Sequence, residues 1–329
     1  MIGRRRFLLG LGAATVLATA ETARGQQQII TIGLASGTLV ASSLRIANEL
    51  GLFQKRDLGV KFIVLDNANA AAAALISGSA PIIVAGPPEL VVAQSRGQPS
   101  VAIANVYNGL GASLVLAKDV ATKLSVANSA PVAERLKALD GLLIAAPSPT
   151  ATYKIAFDGA AKSVGAQIRF TYMAQATVVA AMESGVIQGY LGSAPVWAYP
   201  VAKGTGVLWI SGPKGEVPAA FTPSSTASLQ TMRNYAERNP EVIRTLQAIL
   251  IDLSKAIDER PGDVKAAISR IYPELKGSLL DLLFESESLA WKAKPLTSDD
   301  IRRDIAFVKS TGVPLPEIDK VDPASMLIR

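Results

Sequence analysis

The chain has 329 residues, 49% of them apolar, enough for two domains with cores of their own. It contains no cysteine and no histidine, which excludes disulfides, thiolate nucleophiles, Cys or His metal ligands and every His-dependent triad. The formal charge is +6, but its only basic cluster of note is N-terminal, and Trp291-Lys292-Ala293-Lys294 reads as a solvated helix end, so nothing points to nucleic acid.

The chain opens on Arg4-Arg5-Arg6-Phe7-Leu8, followed by a Gly- and Ala-rich apolar stretch from Leu8 to Ala20. That stretch is shorter than the roughly 20 residues a membrane span needs. Basic, apolar and small-residue regions in this order make residues 1–25 a signal peptide, with Ala18-Thr19-Ala20 or Glu21-Thr22-Ala23 as cleavage sites. The adjacent arginines before Phe-Leu resemble a twin-arginine signal, and no lipid-anchoring cysteine exists. Export to the periplasm is expected, and removal of Arg4, Arg5 and Arg6 lowers the formal charge from +6 to +3.

Strands are expected at 29–34, 60–65, 82–85 and 101–105, alternating with helices at 38–50, 69–76 and 88–96. A segment at 114–117 reads as a crossing, after which the alternation restarts. Strands at 142–146, 168–172, 189–191 and 207–210 are interleaved with helices at 150–164, 176–183 and 195–203. Beyond Gly212-Pro213-Lys214-Gly215 the reading is mainly helical, with Val242, Leu246, Ile249, Leu250 and Leu253 forming one apolar face.

The halves repeat one another. Ala73-Ala74-Leu75-Ile76-Ser77-Gly78 returns as Ala180-Ala181-Met182-Glu183-Ser184-Gly185, and Ser36-Gly37-Thr38 after Ile32 returns as Ser148-Pro149-Thr150 after Ile144. Two similar α/β halves with small polar loops at their strand ends predict two lobes facing one cleft.

Several segments resemble one known family. Ile46-Ala47-Asn48-Glu49-Leu50-Gly51-Leu52-Phe53 with Leu58-Gly59-Val60, the paired Ser-Gly phrases, Leu139 to Ala145, Pro195-Val196-Trp197 and Asn239-Pro240-Glu241 follow the order found in periplasmic solute-binding proteins of ABC transporters. The branch is that of the nitrate, sulfonate, taurine and thiamine-precursor (NMT1/THI5-like) binders. The chain departs from the pattern after each Ser-Gly, where Ser79-Ala80-Pro81 and Val186-Ile187-Gln188 lack the family's acidic residue, and at Ala198. The resemblance implies a two-lobed, type II-like binding-protein fold. Each lobe would be a mostly parallel sheet flanked by helices, with a helical C-terminal tail on the first lobe. It divides the chain into residues 29–116 with 208–329 and residues 117–207, with hinges near 114–118 and 207–210. It also implies a permease as partner, a monomer, and no cofactor, metal or catalysis. The related thiamine-pyrimidine synthases consume a histidine that is absent here.

In such sheets ligands sit beyond the carboxyl ends of the strands. The candidates there are Ser36, Gly37, Thr38, Gly86, Pro87, Glu89, Asn105, Tyr107, Ser148, Thr150, Ala151, Thr152, Ser193 and Trp197. Loops that open helices present free N–H groups suited to an anion, so a small organic anion such as a sulfonate or carboxylate is expected. A pyrimidine or other heterocycle is the alternative, and a periplasmic sensor subunit the alternative role. Ser and Thr before helices are also ordinary N-caps. Glu89 fits either a helix dipole or a ligand amine, and Tyr107 and Trp197 could wall the cleft.

Overall fold

The computed structural model describes residues 28–65, 68–149 and 151–328; the expected signal peptide lies outside them. In the first half β1 (Gln28–Leu34), α1 (Ser43–Glu49), β2 (Leu58–Val64), α2 (Ala68–Ser77), β3 (Ile82–Ala85), α3 (Pro87–Ser95) and β4 (Ser100–Asn108) alternate. The chain then enters β5 (Ser113–Ala117), α4 (Lys118–Lys123) and α5 (Val132–Lys137). Alternation resumes with β6 (Leu143–Ala146), α6 (Thr152–Ser163), β7 (Arg169–Tyr172), α7 (Val178–Glu183), β8 (Gly189–Gly192), α8 (Ala198–Lys203) and β9 (Gly206–Ser211). It returns through β10 (Ser225–Met232) to α9 (Arg233–Arg238), α10 (Pro240–Glu259), α11 (Pro261–Ile271), α12 (Gly277–Glu287) and α13 (Ser298–Ser310).

The strands form two five-stranded sheets, ordered β2-β1-β3-β10-β4 and β7-β6-β8-β5-β9. In each sheet the first three strands run parallel, and the fourth is antiparallel to both neighbours. The orders superpose if β1 to β4 correspond to β6 to β9 and β10 corresponds to β5, so the repeat read from the sequence is a repeat of topology. The antiparallel member of each sheet is the strand by which the chain arrives from the other. The paired Ser-Gly phrases confirm it locally: Gly78 and Gly185, ending α2 and α7, have φ of 77° and 78°, the left-handed geometry a glycine adopts freely after a helix.

The boundaries read from sequence, at 116/117 and 207/208, fall within β5 and β9, both hydrogen-bonded within the second sheet. The polypeptide passes between sheets at 109–112 and 212–224. β10 is absent from the sequence reading, which has this region helical or looped. Its sequence, Ser225-Thr-Ala-Ser-Leu-Gln-Thr-Met, lacks an apolar run, yet it pairs β3 with β4 in the middle of the first sheet. Its polar side chains find carbonyls there: Gln230 Nε2 donates to Gly86 O at 2.8 Å and Thr231 Oγ1 to Pro81 O at 2.7 Å.

The helical tail packs on the first sheet side. α10 and α11 lie against α1, and α13 against α3. α10 buries Val242, Leu246, Ile249, Leu250 and Leu253, the face read from its periodicity. α13 starts on a capping box, in which Thr297 Oγ1 accepts from Asp300 N–H at 3.2 Å and Asp300 accepts from Thr297 N–H at 3.1 Å. α12 also touches α8, so the tail spans both halves.

Candidate functional site

The carboxyl ends of β1 and β3 face the starts of α6 and the loop after β8 across a cavity of about 460 Å3. The first wall carries Ser36 and Thr38 after β1, whose hydroxyls share a hydrogen bond of 2.9 Å. Gly86, Pro87, Pro88 and Glu89, at the start of α3, continue it. The opposite wall carries Thr152 and Tyr153 of α6 and Ser193 after β8. The floor lies where the chain crosses: Leu110 and Gly111 on the first connection, Pro223 on the second, and Ser225 to Ala227 at the start of β10.

Hydrogen bonds hold these loops. Thr226 Oγ1 donates to Gly109 O at 2.7 Å and accepts from Gly111 N–H at 2.6 Å, tying the first crossing to the start of β10. The Tyr272 hydroxyl donates to Gly37 O at 2.6 Å, and Arg45 donates to that hydroxyl at 3.2 Å. Arg45 therefore supports the β1 loop rather than lining the cavity. On the far wall, Gln175 Nε2 donates to Leu191 O at 3.0 Å and to the Tyr153 hydroxyl at 3.3 Å. Burial pushes that phenol up to about 12, so it is a neutral hydroxyl at physiological pH.

Two polar groups stand out chemically. Ser225 is fully buried and its Oγ has no hydrogen-bond partner in the protein, which carries a desolvation cost. Glu89 has its carboxyl pushed up to about 7, by burial first, with the backbone of Glu89 and Gly86 acting in the lowering direction.

Of the residues singled out in the sequence, Ser36, Thr38, Gly86, Pro87, Glu89, Thr152 and Ser193 line this cavity. Gly37 and Ala151 sit beside the lining, Ala151 as the N-cap of α6, and Ser148 precedes it, accepting from Ala151 N–H at 3.3 Å. Thr150 lies outside the described residues. Asn105 is buried within β4 opposite Ser228. Tyr107 and Trp197 are fully buried and serve another purpose: the Tyr107 hydroxyl donates to Glu287 Oε2, and Trp197 Nε1 donates to Glu287 Oε1 at 2.9 Å. Their aromatic bodies are core, because each polar tip found a carboxyl at the end of α12. Sequence reasoning missed Tyr153, Leu110, Gly111 and the β10 residues. It also missed Glu287, which sits on the stripe of buried Leu280 and Leu283; an acidic residue at i+7 on an apolar face was the available signal.

The model of the NMT1-like family matches residues 24–272. A search of the curated proteins finds no match. Among solved structures, the fold is similar to the alkanesulfonate-binding protein SsuA from Xanthomonas axonopodis pv. citri, at 16% identity and a TM-score of 0.66, covering 93% of this chain and 99% of that one. It is similar to the periplasmic aliphatic sulphonate binding protein SsuA from Escherichia coli at 15% identity and a TM-score of 0.67, covering 90% and 97%. A putative periplasmic sulfonate-binding protein of an ABC transporter from Methylobacillus flagellatus aligns at 18% identity and 0.63, covering 92% and 91%. At these identities the likeness is one of fold.

Proposed function

Because the chain belongs to the NMT1-like family, we propose that it is the solute-binding component of an ABC importer, held in the periplasm and docking on a membrane permease. The observation that carries this reading is the cavity of about 460 Å3 enclosed between the carboxyl ends of two topologically matched sheets, the place where doubly wound sheets bind ligands. The structural neighbours are named as binding proteins of this kind.

The lobes are taken as residues 28–108 with 225–328, and 113–211, joined by the two connections at 109–112 and 212–224. Solute binds one wall, and contacts from the other favour the closed arrangement. The lining contains no cysteine or histidine, and the reading requires no covalent step. A small organic solute with an acidic group suits the start of α6, where Ala151 caps the helix without a side-chain bond.

A thermal-shift screen of mature protein against sulfonates, carboxylates and nitrogen heterocycles tests the reading. A solute at a hundred times its dissociation constant should stabilise by about 2.7 kcal/mol through mass action, and small-angle scattering should show contraction on binding. If no small solute stabilises the protein and a macromolecule does, the importer reading fails.

A further inference from the structure

The cavity is furnished unevenly in charge. Its described lining offers hydroxyls from both walls, with Pro87, Pro88 and Leu110 as apolar surface. It includes one carboxyl, Glu89, and no lysine or arginine. The basic residues closest along the chain are engaged elsewhere: Lys154 with Asp158 at 2.8 Å, and Arg45 with Tyr272.

Glu89 also changes what the start of α3 can do. A free helix N-terminus attracts anions. Here the Glu89 side chain turns back toward that terminus. A Cβ placed on Gly86 would lie 2.8 Å from its Oε2. The position an anionic ligand group would take on this wall is occupied by the protein's own carboxylate, and a second anion there would meet like charge. A ligand nitrogen bearing protons meets the opposite: an acceptor with no cation beside it, in a site partly closed to water.

We propose that the solute of the cleft carries a protonated nitrogen seated against Glu89, and that Glu89 is the residue that selects it. Any acidic group of the same solute is left to the opposite wall, where Thr152, Tyr153 and Ser193 offer hydroxyls and no carboxyl lines the cavity. The inference deepens the solute-binding reading and rests on it. The raised pKa of Glu89 agrees with it, since a buried acid lacking its counter-ion is held toward the protonated state, and an ammonium would draw it back down.

The test compares matched solutes on the full mature protein by isothermal titration: β-alanine with propionate, and benzylamine with benzyl alcohol. In parallel, the small-molecule fraction of a bacterial extract is offered to the protein, and what is retained is identified by mass spectrometry after denaturation. The nitrogen-bearing member of at least one pair should bind at least tenfold tighter than its partner. The retained compound should contain a protonatable nitrogen, and Glu89→Gln should reduce both bindings at least tenfold. Nitrogen-free members binding equally, or retention unchanged in Glu89→Gln, overturns the role of Glu89 and leaves solute binding standing. If nothing small is bound or retained, the solute-binding reading falls, and this inference with it. The comparison within wild-type protein decides the matter even where the variant does not fold.

Discussion

Among the described residues three carboxyls lie where burial holds their pKa values high: Glu89 and Glu287 at about 7 and Asp304 at about 6. Glu287 is the furthest from water, fully buried, with Tyr107 and Trp197 as donors that only partly offset its desolvation. The group's folded-state pKa lies above its ordinary value of 4.5. Between about pH 4.5 and 7 the folded protein therefore holds a proton that the unfolded chain has released, and stability falls as pH rises through that window. The full difference is about 3 kcal/mol at pH 8 relative to pH 4.5 for this one group. Glu89 and Asp304 act in the same direction, so the protein should be more resistant to urea at pH 5.5 than at pH 8. Glu287→Gln fills the same space without a charge. It is expected to unfold at higher urea than wild type at pH 8 and to lose much of the pH dependence. An unchanged slope of stability against pH in that variant would remove Glu287 as its source.

The connections between the sheets impose a sharper constraint than any helix. Gly212 N–H donates to Ala112 O at 3.1 Å, and a Cβ on Gly212 would lie 2.2 Å from Ala112 O and 2.4 Å from Leu110 O. No side-chain adjustment relieves a clash with backbone, so Gly212→Ala must move one crossing away from the other. A loss of about 1–3 kcal/mol in urea unfolding is expected, together with weaker solute binding, because Leu110 also lines the cavity. Such a position shows how far sequence reading reaches. Strands such as Ile82 to Ala85 and Leu143 to Ala146 were legible because buried parallel strands are short apolar runs, and helices ending in Gly78 or Gly185 because the turn requires that residue. β10 was not, because Ser228, Gln230 and Thr231 are buried against carbonyls that only the assembled sheet supplies. The site divides in the same way. Loops following legible strands, at Ser36 or Gly86, could be placed. Ser225 to Ala227 reach the cavity through pairing with a strand more than 115 residues earlier, which no local pattern records.

Contact between the two halves away from the cleft belongs to the whole molecule. α13 packs on α3 of the first half, yet its Phe307 is 7% exposed and lies within the apolar cluster of the second, with Phe157 and Ala160 of α6. Beside it Phe221, on the connection between sheets, lies 3.0 Å from the place of a Cβ on Gly159 of α6. This apolar seam joins the helix that carries Thr152 and Tyr153 to the tail of the other lobe, so it holds the walls of the cavity at their present separation. If closure is a two-state motion, removing Phe307 weakens the closed arrangement while leaving each sheet intact. Loss of interlobe packing worth about 1–2 kcal/mol would lower apparent solute affinity roughly five- to thirtyfold, through the fraction of molecules able to close. Phe307→Ala is therefore expected to enlarge the radius of gyration of the solute-bound protein in small-angle scattering, and to weaken binding mainly through faster release. An unchanged radius of gyration together with unchanged affinity would show that this seam belongs to the packing of α13 alone and takes no part in closure.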